Sequence, residues 1–212
     1  CHSSAGGRFL AVASSHWELV VTLLAGRTTV TIHGPETRPR EVYCPPDGEW
    51  LAIRFKSGTF MPTLPVHRLI NGNDVNLPPA FRGRFRLDDS AWDIPGFDNA
   101  EVFVDRLVRR GLLTRDAAVS AALDGDGQAL QTRTSQRHFL FATGMSFAAL
   151  KQIERARRAT QLLREGRAPI DVAHDSGYYD QAHLTRSVRE WMGLTPGSLA
   201  REERQLSFLY KT

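Results

Sequence analysis

The sequence has little of what disulfide scaffolds, zinc proteins, membrane proteins and the common hydrolases are built from. It holds two cysteines, Cys1 and Cys44, in 212 residues. They form no CxxC pair and no zinc-ligand spacing, so neither a disulfide framework nor a structural metal site is expected. Cys44, set in Tyr43-Cys44-Pro45-Pro46, reads as a small half-buried apolar residue in a chain that suits a reducing cytosol. No apolar stretch approaches the roughly 20 residues of a membrane span. The run at 17–24 is far too short, and no signal-peptide pattern stands before it. The chain opens on Cys1 rather than Met, so a trimmed N-terminus is expected. Also absent are G-x-S-x-G, HExxH, a P-loop, internal repeats and low-complexity tracts. An enzyme would need a convergent acid–base, nucleophile or metal constellation. His16, His33 and His67 lack the close His/Glu spacing of a metal site. No catalytic residue, metal or cofactor is therefore expected.

What is present is ordinary in amount and uneven in placement. Hydrophobic residues make up 42% and charged residues 24%, a globular composition with room for one large domain or two small ones. Residues 129–212 carry a net charge of +5, whereas residues 1–128 carry −1. A basic C-terminal half beside a near-neutral N-terminal half suggests that one part meets a polyanion.

Residues 16–24 and 27–33 are rich in β-branched side chains and joined by Ala25-Gly26, a hairpin signal. Residues 40–44 and 49–56 supply two further strands around the turn sequence Pro45-Pro46-Asp47-Gly48. Residues 57–97, punctuated by Pro62, Pro65, Pro78 and Pro79, read as irregular. Short strands at regular spacing predict a small antiparallel β-barrel or sandwich. His16, Trp17, Trp50 and Trp92 read as packing residues within it.

Helical periodicity begins near Asp98, which puts the domain boundary near residue 95. One helix carries Val102, Phe103, Leu107 and Val108 on a common face and stops at Gly111. A second is expected over residues 114–123, capped by Thr114 and broken by Asp124-Gly-Asp-Gly127. A long helix follows over residues 146–165, with Phe147, Leu150, Ile153, Ala156, Thr160 and Leu163 as its buried stripe. Lys151, Arg155, Arg157, Arg158 and Arg164 lie around the rest, and Gly166 ends it.

The segment 169–196 is the most informative. Pro169 suits a first helical turn, Val172 and Ala173 face inward, and Gly177 is expected in the left-handed conformation with Tyr178 plugging the core. Asp180 then caps a second helix in which Leu184, Val188 and Trp191 point inward. Gln181, Ala182, Thr185, Arg186 and Arg189 remain outside. Helix, glycine turn and polar-faced helix make a helix-turn-helix, whose second helix lies in the major groove. Gln reads adenine, Arg reads guanine, and Thr offers its methyl to thymine. Residues 133–144 repeat the pattern upstream: Phe139 anchors, Gly144 stops the helix, and Arg133, Gln136, Arg137 and Leu140 face out.

With Gly177-Tyr178, Asp180, His183-Leu184-Thr185-Arg186 and Gly193-Leu194-Thr195-Pro196 in place, residues 98–204 resemble the DNA-binding domain of AraC/XylS-type transcriptional regulators. The upstream unit matches as Arg133, Arg137-His138-Phe139 and Thr143-Gly144-Met145-Ser146. The chain departs from the family in its longer loop at 124–127 and in Pro169, where the family favours a β-branched aliphatic. The resemblance implies an α+β chain: residues 1–95 a small antiparallel β-barrel or cupin-like domain for effector sensing or dimerisation, and residues 96–212 all-α with two helix-turn-helix units joined by a long linker helix. It places base contacts on Arg133, Gln136, Arg137, Gln181, Thr185 and Arg186. Arg155, Arg157, Arg158 and Arg189 are expected at phosphates, which supply affinity rather than sequence information.

Two recognition helices on one chain would enter successive major grooves about 34 Å apart. The implied partners are double-stranded DNA, a small-molecule effector at the N-terminal domain, RNA polymerase and a second copy of the chain, with no membrane; the implied place is the cytoplasm, at the nucleoid. The rival reading is a dimerisation or protein-interaction module that keeps the helix-turn-helix fold without reading DNA. Exposed Gln181, Thr185, Arg186 and Arg137 oppose it, because a protein interface favours aromatics at such positions.

Overall fold

A computed structural model describes residues 2–3, 6–125 and 127–199. Cys1 and the expected end of the helical domain, residues 200–212, lie outside the described residues. In chain order the strands are β1 His2–Ser3, β2 Gly7–Ala11, β3 Trp17–Leu24, β4 Arg27–His33, β5 Arg40–Cys44, β6 Gly48–Phe55, β7 Thr59–Phe60, β8 Val75–Leu77, β9 Pro79–Ala80, β10 Arg84–Leu87, β11 Ser90–Asp93 and β12 Thr114–Arg115. The helices are α1 Ala100–Arg109, α2 Ala117–Asp124, α3 Arg133–Thr143, α4 Phe147–Arg164, α5 Pro169–Asp175, α6 Gln181–Met192 and α7 Pro196–Leu199. A sheet-rich N-terminal region thus precedes a helical C-terminal region. The described residues form two compact units: one drawn from the chain up to Gly6, residues 16–35 and 45–147, the other from residues 7–15, 36–44 and 148 onward.

The first unit is organised by a five-stranded antiparallel sheet in the order β1-β6-β3-β4-β8. The β3–β4 hairpin forms where the sequence predicts it, pairing Val21 with Val30 across a turn in which Ala25 and Gly26 both have positive φ. Alternation puts Trp17, Leu19 and Val21 on the face that also buries Val30 and Ile32. Trp17 stacks on Phe55 at 4.0 Å between ring centroids, and its indole N–H donates to the Thr59 carbonyl at 2.6 Å. α1 adds Phe103 and Leu107 to this core. Trp92 meets Phe103 edge-on at 5.7 Å and donates to the Leu87 carbonyl at 3.2 Å, so it fills the core as expected.

Several expectations give way here. The strands lie in four separate sheets among the described residues, not in a closed barrel. The stretch expected to be irregular contains β7 through β11, including a β10–β11 hairpin that pairs Phe85 with Trp92. The neighbouring prolines hide it, yet Phe85 and Leu87 alternate cleanly inward with Arg84 and Arg86 outward. Thr114 does not cap α2. It pairs with Phe60 in β12, and Asp116 is the cap instead, accepting from the Val119 N–H at 2.9 Å. On α1 only Phe103 and Leu107 of the expected stripe are buried, whereas Val102 and Val108 are exposed.

The second unit consists of α4 to α7 with a two-stranded ribbon, β2 against β5. Five residue pairs hold the ribbon, from Gly7 with Cys44 to Ala11 with Arg40. The expected partner of residues 40–44, the strand beyond Pro45-Pro46, belongs to the first unit, so the ribbon is a long-range pairing. It carries Leu10, and just beyond it Val12, Ala13 and Ser15 are also buried. The Ala13 N–H donates to the Trp191 carbonyl at 2.9 Å, and Ser15 Oγ donates to Glu154 Oε1 at 2.7 Å. α4 buries Leu150, Ile153, Ala156, Ala159, Thr160 and Leu163, close to the stripe read from sequence. Each fully buried aliphatic side chain of this kind contributes about 1.5–3 kcal/mol.

Candidate nucleic-acid interface

The upstream helix-turn-helix lies in the first unit. Asp116 anchors its opening helix three ways: its N–H donates to the Gly58 carbonyl at 2.8 Å, Oδ1 caps α2, and Oδ2 meets His138 Nε2 of α3. Thr132 starts α3 with a reciprocal box in which the Ser135 N–H donates to Thr132 Oγ1 at 3.1 Å and the Thr132 N–H donates to Ser135 Oγ at 3.2 Å. Phe139 is buried and meets Phe147 edge-on, and Gly144 ends the helix. Arg133, Gln136, Arg137 and Leu140, at spacings of three, four and seven, share an exposed face. The Gln136 amide donates to the Leu130 carbonyl at 3.1 Å, which holds it to the preceding loop. Sequence reasoning passed over Asp116 and named His138 only as part of the upstream motif. The capping spacing from Asp116 to Val119 is the signal that could have found the first.

The downstream helix-turn-helix lies wholly in the second unit and follows the sequence reading closely. Pro169 stands in the first turn of α5, with Val172 and Ala173 buried. Gly177 has φ 69°, and the Tyr178 N–H donates to the Ala173 carbonyl at 2.8 Å, which drives the ring into the core. The Tyr178 hydroxyl meets Ser187 Oγ at 3.2 Å. Asp180 caps α6 by accepting from the His183 N–H at 2.6 Å. Leu184 and Val188 are buried as expected; Trp191 is only half-buried, and Ser187 and Met192 complete the inner face.

On the outer face Gln181, Ala182, Arg186 and Arg189 are exposed, and Thr185 is half-exposed. The Thr185 hydroxyl donates to the Gln181 carbonyl at 2.9 Å, so its methyl is the group left to offer. The side chains of Gln181, Arg186 and Arg189 have no hydrogen-bond or ion-pair partner among the described residues. Tyr179 is 93% exposed immediately before the cap, a position that sequence reasoning passed over.

The four arginines expected at phosphates are not alike. Arg158 and Arg189 are exposed. Arg157 pairs with Glu154 at 3.6 Å and its side chain is largely covered. Arg155 is turned inward: its guanidinium lies 4.3 Å from the Tyr178 ring centroid, donates to the Gly177 carbonyl at 3.2 Å and meets Gln152. It therefore braces the turn that aims α6. Below this turn, Arg167 pairs with Asp175 and His174 also bonds it, and these contacts hold the Asp175 carboxyl below the ordinary range.

Among the described residues no group of three or more His, Cys, Asp or Glu side chains is placed to hold a metal ion, and no helix is long and apolar enough to cross a membrane.

The family described as "Helix-turn-helix domain" matches residues 128–202, from the loop before α3 to beyond α7, in agreement with this geometry. Among curated proteins none matches the chain. Similar solved structures include ToxT from Vibrio cholerae O395 bound to (E)-4-(8-methylnaphthalen-1-yl)but-3-enoic acid, at 9% identity, covering 94% of this chain and 96% of that one with a TM-score of 0.46. They also include ToxT from Vibrio cholerae in a P21 crystal form, at 10% identity, 96% of each chain and a TM-score of 0.43. Residues 128–202, which carry α3, α4 and α6, match the AraC-type helix-turn-helix family model.

Proposed function

We infer that the chain reads an asymmetric DNA site with two recognition helices, α3 and α6, each inserted in a major groove. The observation that carries this is the outer face of α6: Gln181, Thr185 and Arg186, at spacings of four and one, stand on a helix whose other face buries Leu184, Ser187, Val188 and Met192. Gln181 and Arg186 are bidentate readers of adenine and guanine, and the Thr185 methyl suits thymine. Arg133, Gln136 and Arg137 take the same roles on α3. Arg158 and Arg189 hold phosphates, exposed Tyr179 adds a neutral donor, and Arg157 joins them from its pair with Glu154. Arg155 acts through the turn. Residues 96–212 form the sequence module for DNA reading, and residues 1–95 serve effector sensing or dimerisation. RNA polymerase and a second copy are the further partners, and the cytoplasm is the working place.

Arg186→Ala tests this reading. Titration of the protein against its site and single-base variants should show a loss of about 1–3 kcal/mol and relaxed preference at one base pair only. A uniform loss across all variants would show that Arg186 holds a phosphate rather than a base. The interaction-module reading is favoured at one place: Leu140 and Phe141 of α3 are exposed apolar side chains, as a protein partner would need. Salt-independent DNA binding, or none, would move the assignment there.

A further inference from the structure

The upstream helix α3 has three sides. Phe139, Ala142 and Thr143 are buried inward, and Arg133, Gln136, Arg137 and Leu140 face out. Between them His138, Phe141 and Gly144 recur at steps of three along one flank. Each flank position is held, directly or through one residue, by the segment 58–70. His138 Nε2 meets Asp116 Oδ2, and the Asp116 N–H donates to the Gly58 carbonyl at 2.8 Å. The Phe141 ring lies against the His67 ring, with 4.7 Å between centroids. A Cβ on Gly144 would stand 3.3 Å from Ile70 Cγ1 and 3.4 Å from Val66 Cγ1, so these two side chains close over the end of the helix.

We infer that the segment 58–70, with β7 and the short 3-10 turn Val66–Arg68, is a brace that sets the rotation of α3 about its axis. His67 is then a positioning residue for base reading by α3. A helix packed on its inner face alone can roll over that face, because apolar contacts are non-directional. A second line of contacts along the flank removes that freedom. Side-chain tips stand roughly 5–6 Å from a helix axis, so a roll of about 20° carries them about 2 Å. A bidentate pair with a base edge needs placement within about 0.5 Å.

The brace is itself anchored. Val66 is buried, β7 pairs with β12 through Phe60 with Thr114 and Thr59 with Arg115, and the Trp17 indole N–H donates to the Thr59 carbonyl at 2.6 Å. His67 contributes its ring rather than its polar atoms, since its buried Nδ1 has no hydrogen-bond partner among the described residues. A domain division near residue 95 leaves this segment out of the DNA-reading module, whereas its contacts with α3 put it inside. The inference rests on the proposal above that α3 reads bases, and adds which residues aim it.

Two measurements on the full chain test it. In the free protein, amide hydrogen exchange over α3 should quicken about tenfold in His67→Ala and stay unchanged over α6. His67→Phe, which keeps the ring, should restore the original rate. On DNA, titrations against single-base variants should show the penalties at base pairs under α3 shrinking by about fivefold in His67→Ala, with those under α6 unchanged. His67→Phe should recover both, and His138→Ala, which frees the flank from Asp116, should act like His67→Ala. A merely structural role would weaken binding while leaving every base penalty as it was. That result, or α3 exchange unchanged in His67→Ala, would overturn the inference. If the unaltered chain shows no base preference, the DNA reading fails and hydrogen exchange alone decides the brace.

Discussion

Replacing Arg155 separates two roles that a basic residue on a linker helix can play. If Arg155 held a phosphate, lysine would serve nearly as well and methionine would lower the salt dependence of DNA binding. The structure gives it a different task. Its guanidinium lies over the Tyr178 ring at 4.3 Å and donates to the Gly177 carbonyl at 3.2 Å. A partly desolvated cation–π contact contributes about 1 kcal/mol. A charged hydrogen bond to a carbonyl contributes roughly another 1 kcal/mol after discounting for the solvent that still reaches the site.

Arg155→Met keeps the apolar stem and removes both interactions, so stability should fall by about 2 kcal/mol. Arg155→Lys should fall nearly as far, because an ammonium has neither the planar face nor the fork. Urea unfolding measures the change. The companion measurement is the slope of log affinity against log salt on a fixed DNA fragment. Removing a single phosphate-bound cation makes that slope shallower by about 0.9. Both variants should bind more weakly at every salt concentration while the slope stays put. A slope reduced by about 0.9 with unfolding unchanged would show that Arg155 faces DNA, and the assignment to the turn would be wrong.

Gly193→Ala should cost about 2–3 kcal/mol. Its φ of 74° is a left-handed conformation that costs an L side chain about 1–2 kcal/mol, and a methyl would sit 3.0 Å from Pro39 Cβ and 3.2 Å from Leu10 Cδ2. Thermal melting should drop by roughly 4–10 °C, and an unchanged melting point would mean that the ribbon is not seated there. Thr160→Val should raise stability by about 1 kcal/mol, since the Thr160 hydroxyl is buried without a partner among the described residues; a loss in urea unfolding would reveal a partner for that oxygen. The Asp175 carboxyl, held low first by Arg167 and then by His174, favours the folded state above the ordinary carboxylate range and loses that contribution as pH falls through its depressed value. In Arg167→Ala an NMR titration should find the Asp175 midpoint moved up, and no movement would show the pair to be inert.

What the sequence made legible was punctuation. Gly177, Asp180 and Gly193 bound α5 and α6 because each residue type solves a backbone problem at a helix end, and such problems are local. The β3–β4 hairpin was legible for the same reason. Hidden features were those in which a distant segment decides. Nothing near Arg40–Cys44 says that its partner is Gly7–Ala11 rather than the strand just after Pro45-Pro46. Thr114 looks like a cap until β7 claims it as a strand residue. Arg155 follows the pattern of a solvated cation, and only Tyr178, more than twenty positions away, turns it inward. The outer faces of α3 and α6 were read correctly as exposed, while the division of the arginines between turn and solvent needed the tertiary structure.

The β2–β5 ribbon has a consequence for how the molecule comes into being. Ser15 meets Glu154 across 139 positions of sequence, and Ala13 reaches Trp191 across more. On a ribosome the ribbon is made first and waits, its apolar residues uncovered, until α4 and α6 emerge. Contacts of such long sequence separation form slowly, because a large loop must close before they stabilise anything. The downstream helix-turn-helix is thus finished only after α6 has left the ribosome, so a polypeptide still short of it cannot carry a seated reading head to DNA.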